Sequence, residues 1–162
     1  MASTLQIRTG TASDTRTIAE MSRCLIEVGL RGWSWHPTRV ARALRLRETC
    51  VIVAEYEGRF AGFAIAEFGD TRMHLSLLAV QPGFQRRGIA TALLRWLIQS
   101  ARTAGIREVA VELRVNNFAA RAFYAALGFR QTRYIDGYYQ NIESAIQMRL
   151  ALVEGVTPLP TP

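Results

Sequence analysis

The 162 residues predict a single α/β domain built on one mixed sheet with helices on both faces. Three observations carry this. Apolar runs at 51–56, 60–66 and 74–80 follow one another with no helix between them. Two later amphipathic stretches are each stopped by a glycine, Gly105 and Gly128. The order of elements is strand, two helices, three strands, helix, strand, helix, two strands, without the regular βα alternation of a dinucleotide-binding fold.

Leu5, Ile7 and Thr9 alternate as a first strand that ends at Gly10. Asp14 precedes a helical stripe of Ile18, Met21, Leu25 and Val28, interrupted by Gly29 and Gly32. Trp33-Ser34-Trp35-His36 reads as a loop, and Pro37 suits the first turn of a helix running to about Arg47 with a dense arginine face. Strands 51–56 and 60–66 are joined by a hairpin at Glu57-Gly58. The apolar run from His74 to Val80 is expected as a central strand covered on both faces. A helix over 89–104 carries Leu93, Leu94 and Leu97 inward; strand 109–113, helix 118–127, an extended segment from Phe129 and a last strand at 146–150 follow. Residues 1–154 are expected to form the one domain, and residues 155–162, with three prolines, a frayed tail.

The charge is unusual. All 20 cationic side chains are arginine against 13 carboxylates, giving +7. Without lysine there is no Schiff-base chemistry and no phosphate-binding lysine of a Walker loop. The arginine surplus points to an anionic partner: nucleic acid, a phosphorylated cofactor or an acidic protein surface. Cys24 and Cys50 stand apart from any histidine pair, so no metal site or disulfide framework is expected, and both are read as buried, reduced thiols. The N-terminus lacks a charged segment followed by an apolar core, and the longest apolar run, 60–66, is too short to cross a bilayer. The expected location is the cytoplasm, with no membrane contact.

The sharpest local feature is the passage from a buried strand through Gln81-Pro82-Gly83-Phe84-Gln85-Arg86-Arg87-Gly88-Ile89-Ala90 into a helix. Pro82 and Gly83 break the strand, and Gly88 with the small Ala90 lets backbone N–H groups converge at the helix start. Free N–H groups at the positive end of a helix dipole cradle an anion, and a diphosphate is the natural guest. Taken alone, the same residues also fit a solvated basic turn.

The segment Leu77 to Leu94 resembles motif A of the GNAT superfamily of acyl-CoA-dependent N-acetyltransferases, its Gln/Arg-x-x-Gly-x-Gly/Ala core matched by Gln85, Gly88 and Ala90. Asn116-Asn117-Phe118 through Gly128-Phe129 resembles motif B, in the expected order and one helix and one strand downstream. The likeness covers roughly residues 5 to 150. Phe84-Gln85-Arg86-Arg87-Gly88, Glu112-Leu113-Arg114 and Tyr138-Tyr139 further resemble the branch that acetylates ribosomal-protein N-termini.

The resemblance implies a mostly antiparallel sheet whose two central strands splay apart to admit acetyl-CoA. Backbone groups of Leu78, Ala79 and Val80 would pair with the pantetheine arm as an added strand does. Arg86, Arg87, Gly88, Ile89, Ala90 and Thr91 would wrap the pyrophosphate, and Asn117 would bond the cofactor near its reactive end. Tyr124, by its own periodicity a core aromatic, would protonate the departing thiolate. Glu112 interrupts an apolar strand, where a buried carboxylate needs a partner; it would either pair with Arg114 or another nearby arginine, or act as general base through water. The backbone N–H of Leu78 or a neighbour would polarise the thioester carbonyl. His74 reads as a polar strand end or an alternative base. Trp33, Trp35 and His36 would line the peptide groove or simply pack, and Tyr138-Tyr139, expected in a loop opposite, would hold the acceptor.

The expected activity is transfer of acetyl from acetyl-CoA to the α-amine of a protein or peptide, with a ribosomal protein as a candidate acceptor and the enzyme a monomer or homodimer without direct nucleic-acid contact. Acetylation of a small amine such as a polyamine or aminoglycoside is the alternative. A basic nucleic-acid-binding module is the non-enzymatic one, though the arginines are scattered and no helix-turn-helix pattern appears.

Overall fold

The computed structural model describes residues 4–30, 32–139 and 143–152. The elements come in the expected order: β1 (Leu5–Thr9), α1 (Thr15–Met21), α2 (Pro37–Arg45), β2 (Thr49–Tyr56), β3 (Arg59–Phe68), β4 (Arg72–Val80), α3 (Ile89–Thr103), β5 (Glu108–Arg114), α4 (Phe118–Ala126), β6 (Arg130–Tyr139) and β7 (Glu143–Ala151). They form one seven-stranded sheet in the order β1-β2-β3-β4-β5-β7-β6, antiparallel throughout except where β4 meets β5. The tail expected over 155–162 lies outside the described residues.

Side-chain alternation divides the core between the two faces. Ile52 and Ala54 of β2 look toward α3, whose Leu93, Leu94 and Leu97 are fully buried with Met73 and Leu75 of β4. Val51 and Val53 look the other way, onto Ile18 and Ala19 of α1 and Val40 and Ala43 of α2, with Phe63, Ile65 and Trp35. Truncating any one of the α3 leucines to alanine removes about 2–5 kcal/mol.

Three expectations are corrected. The first helix does not continue to Val28: α1 ends at Met21 and widens into a single π-type turn over Ser22–Ile26, closed by the Glu27 N–H donating to the Ser22 carbonyl at 2.7 Å. The wider turn rotates the stripe, so Val28 is 57% exposed and Cys24 is exposed rather than buried. Cys50 is half-buried, and both thiols are free. Tyr138-Tyr139 close β6 rather than sit in a loop, with Tyr139 paired opposite Glu143.

Candidate active site

The cleft arises from a failure of pairing. Parallel β4 and β5 are in register only from Arg72↔Glu108 to Leu75↔Val111, and beyond that point they part. A bulge in the β3–β4 ladder beside Ala66 skips Ser76 and turns the strand over: Met73 and Leu75 face α3, Leu77 and Ala79 face α1 and α2. The gap is a cavity of about 460 Å³ walled by Leu75–Leu78 on one side and Val111–Arg114 on the other, with Asn117 and Tyr124 at one end. A second cavity of about 300 Å³ opens toward the α1–α2 loop, and Glu112, Ser76 and Tyr139 line both. Glu112 therefore stands at the junction.

The open edge of β4 carries the residues expected to meet a pantetheine arm. Leu78 lines the cleft, Val80 reaches the next cavity, and Ala79 is buried against the α1–α2 side and lines neither. Past Val80, the Gln85 amide donates to the Val80 carbonyl at 3.2 Å and folds the loop back. Gly88 caps α3 in the left-handed region (φ +75°), and Arg86 also has a positive φ of +62°. A side-chain-bearing residue held there costs about 1–2 kcal/mol, which the surrounding loop must offset. Val80, Arg86, Gly88, Ile89, Ala90 and Thr91 enclose a cavity of about 200 Å³ at the helix start. Arg87 does not line it: its guanidinium lies 5.0 Å from the Tyr56 ring centre and donates to the Tyr56 hydroxyl at 3.3 Å. The expectation that Arg86 and Arg87 share one job is thus divided.

Glu112 is half-buried on β5, its side chain 11% exposed. It does not pair with Arg114. Its Oε2 meets His74 Nε2 on β4, and its Oε1 accepts from the Gln147 amide at 3.0 Å. Gln147 is itself oriented, since its oxygen accepts from Thr132 at 3.2 Å and Arg149 at 2.9 Å, leaving the NH₂ for Glu112. Burial pushes the Glu112 carboxyl up, but the hydrogen bonds from His74 and Gln147 outweigh it and hold it below the ordinary value. The same contact raises His74 against its own burial. The two readings of the base, Glu112 or His74, converge on one hydrogen-bonded pair.

Tyr124 of α4 is buried, with edge contacts to Phe123 and Phe129 at 5.0 and 5.2 Å, and it lines the cleft. Burial raises its phenol well above the ordinary value, so it stays protonated at neutral pH. Asn117 caps α4, its Oδ1 accepting from the Ala120 N–H at 3.1 Å, and lines the same cleft. Tyr139 donates to the Glu112 carbonyl at 3.3 Å and meets Tyr138 edge-on at 4.8 Å; both line the second cavity.

The opposite wall is organised by a residue the sequence reading passed over. Glu27 is 8% exposed, and its carboxylate accepts from the Ser34 N–H at 2.7 Å, the Trp35 N–H at 3.3 Å, Ser22 Oγ at 2.9 Å and Ser34 Oγ. That clasp draws the loop against the π-type turn and puts Trp35 on the cavity, its ring covered by Arg39 at 3.9 Å. Trp33 and His36 pack on each other at 4.4 Å, and neither lines the two cavities. Arg114 crosses from β5 to the same wall, donating to the Val28 and Ile26 carbonyls at 2.6 and 2.9 Å. Gln147 and Glu27 were each signalled by a polar residue among apolar neighbours, but the partner was not readable.

The chain from 16 to 129 matches the model of the acetyltransferase (GNAT) family. It belongs to that family. Over 59% of its length it is 38% identical to the ribosomal protein bS18-alanine N-acetyltransferase of Salmonella typhimurium, of which the match spans 67%. The crystal structure of the ribosomal-protein-S18-alanine N-acetyltransferase from Escherichia coli superimposes with a TM-score of 0.79 at 26% identity, over 98% of this chain and 100% of that one. A putative acetyltransferase from Salmonella typhimurium, solved with acetyl-CoA, shares the fold at 24% identity with a TM-score of 0.75, over 97% and 99% of the two chains. The chain is an acetyl-CoA-dependent N-acetyltransferase, so the non-enzymatic reading falls away. The open β4 edge and the N–H groups at the α3 start suit the pantetheine and pyrophosphate of that donor.

Proposed function

We propose that the enzyme acetylates the N-terminal α-amine of a protein or peptide, with a ribosomal protein as first candidate, by direct attack within a ternary complex. The hydrogen-bonded Glu112–His74 pair at the meeting point of the two cavities carries this reading. Acetyl-CoA supplies an activated carbonyl; the chain's residues manage protons and position. The pair accepts a proton when His74 is neutral and Glu112 ionised, so the working base is a raised imidazole. An α-amine, with an ordinary pKa of about 7.7–8.0, is matched to such a base, whereas a lysine amine near 10.4 would add roughly 2.5 units, or about 3.5 kcal/mol, to the deprotonation. Tyr124 Oη would supply the proton to the departing sulfur, Asn117 would orient the donor, and the backbone N–H of Leu78 or a neighbour would polarise the thioester carbonyl. Tyr138, Tyr139 and Trp35 all line the acceptor channel. Leu30, Leu75 and Leu77 there favour an uncharged first side chain.

A polyamine or aminoglycoside site needs several free carboxylates; of the three on this cavity, Glu27 is saturated by four donors and Glu112 is held by His74 and Gln147, which leaves Glu67, while Arg39 adds a positive charge. Free thiols, one of them exposed, support the cytoplasm as the place of the reaction. A panel of peptides with free and blocked N-termini, followed by thiol release and mass spectrometry, tests the reading. Acetylation confined to free N-termini is expected, and equal rates on blocked, lysine-bearing peptides would overturn it.

A further inference from the structure

We propose that Arg59 and Arg87, seated on the Tyr56–Phe84 ring pair beside the pyrophosphate cradle, form the site for the 3′-phosphate of coenzyme A. The inference rests on the donor being acetyl-CoA and goes beyond it by giving the nucleotide end a recognition site.

Tyr56 closes β2, and Arg59 opens β3 directly opposite it across the hairpin. Phe84 reaches the same spot from the turn after β4, its ring 5.9 Å from that of Tyr56. Arg59 lies over Phe84 at 5.2 Å and Arg87 over Tyr56 at 5.0 Å. Two like charges are thus gathered on one small aromatic platform, where they repel. Both side chains are exposed, and among the described residues neither has a carboxylate within ion-pair reach. A guanidinium held over a ring has N–H groups to spare, Arg87 giving one to the Tyr56 hydroxyl, and the remainder suit the tetrahedral oxygens of a phosphate monoester. The rings hold the two forks in place before any ligand arrives, reducing the ordering that binding would otherwise require.

Location makes the ligand specific. Phe84 also walls the cavity formed by Arg86, Gly88 and Ala90, so the platform continues the pyrophosphate site without a break. Coenzyme A carries one anionic group besides its diphosphate, and that group is a phosphate monoester on the ribose. The position also explains why Arg87 turns away from the α3 N-terminus.

Calorimetric titration of the full chain with coenzyme A and with 3′-dephospho-coenzyme A tests the proposal and needs neither acceptor nor turnover. Coenzyme A is expected to bind about tenfold tighter, the effect of one charge-assisted hydrogen bond. In the double variant Arg59→Ala, Arg87→Ala that preference should vanish, with dephospho-coenzyme A held within about twofold of its original affinity. The milder pair Arg59→Gln, Arg87→Gln should behave alike and guards against a folding defect. Equal binding of both ligands by the unmodified chain would overturn the proposal. So would a loss shared equally by both ligands in the variants, which would return the two arginines to the diphosphate. If neither ligand bound the unmodified chain, the donor-site reading itself would fall.

Discussion

The two cavities that meet at Glu112 are built by different means. The proposed donor cleft is made by backbone: a strand edge left open where β4 and β5 separate, a left-handed Gly88, and the free N–H groups of α3. The proposed acceptor wall is made by side chains: Glu27 clasping Ser22, Ser34 and Trp35, and Arg114 strapped to the Ile26 and Val28 carbonyls. A backbone site tolerates sequence change because any residue supplies an N–H. A site tied by side chains can be re-specified by a few substitutions. The donor half is therefore suited to a constant ligand, and the acceptor half to one that differs between enzymes.

The largest effect should come from the donor half alone. Tyr124→Phe keeps the ring contacts with Phe123 and Phe129 and removes only the hydroxyl proposed to protonate the leaving sulfur. A fall in kcat of about 10²–10⁴-fold is expected, with coenzyme A affinity and acceptor KM nearly unchanged. Stopped-flow thiol release beside a binding titration reads both; unaltered turnover would make Tyr124 a packing residue.

The junction comes next. Glu112 is held below its ordinary 4.5 and His74 above its ordinary 6.5. For stability, the lowered carboxylate contributes above pH 4.5 and its share is lost as pH falls through the folded value. The raised imidazole contributes below 6.5 and loses its share as pH rises through the folded value. Both are fully present between 4.5 and 6.5. Activity runs differently, because the pair accepts a proton only once His74 is neutral. The acid limb of kcat/KM should therefore lie above 6.5. In Glu112→Gln the charge that raises His74 is gone, so that limb should move to lower pH while the plateau falls about 10²-fold. A limb that stays in place belongs to the acceptor amine, and an unchanged plateau would leave Glu112 a structural carboxylate.

Legibility in the sequence follows the same division. Strand and helix order, the cradle at 85–90 and the Asn117–Tyr124 segment were readable because each is encoded within a dozen residues. Arg86 and Arg87 were adjacent and looked alike, yet Tyr56, 31 residues upstream of Arg87, draws one of them aside. The partners of Glu112 are 38 and 35 residues away, on strands whose order no local pattern states. Trp33 and Trp35 shared a loop and an expectation, and only the clasp of Glu27 decides which of them lines the second cavity. The π-type turn escaped notice because the 3.6-residue stripe of Ile18, Met21 and Leu25 extends smoothly to Val28 on paper.

The smallest effect tests whether the acceptor wall is separable from the donor cleft. Glu27→Gln preserves shape but puts an NH₂ where one oxygen accepted, so at least one of the bonds to Ser22, Ser34 or Trp35 must open. Burial pushes this carboxyl up, and the donors of Ser34, Ser22 and Trp35 together hold it lower than usual, which ties the clasp to the ionised form. Loosening the loop should raise the KM for a peptide acceptor about tenfold, the effect of one hydrogen bond to a charged group, while coenzyme A affinity stays constant. Because the clasp is present above 4.5 and lost as pH falls through the depressed value, the unmodified enzyme should show the same rise in acceptor KM on acidification, before its donor affinity changes. Steady-state kinetics with saturating donor measures the first effect, and a pH series of acceptor titrations the second. A variant that weakens donor and acceptor together would mean that the Arg114 strap couples the two halves, and the division drawn between them would fail.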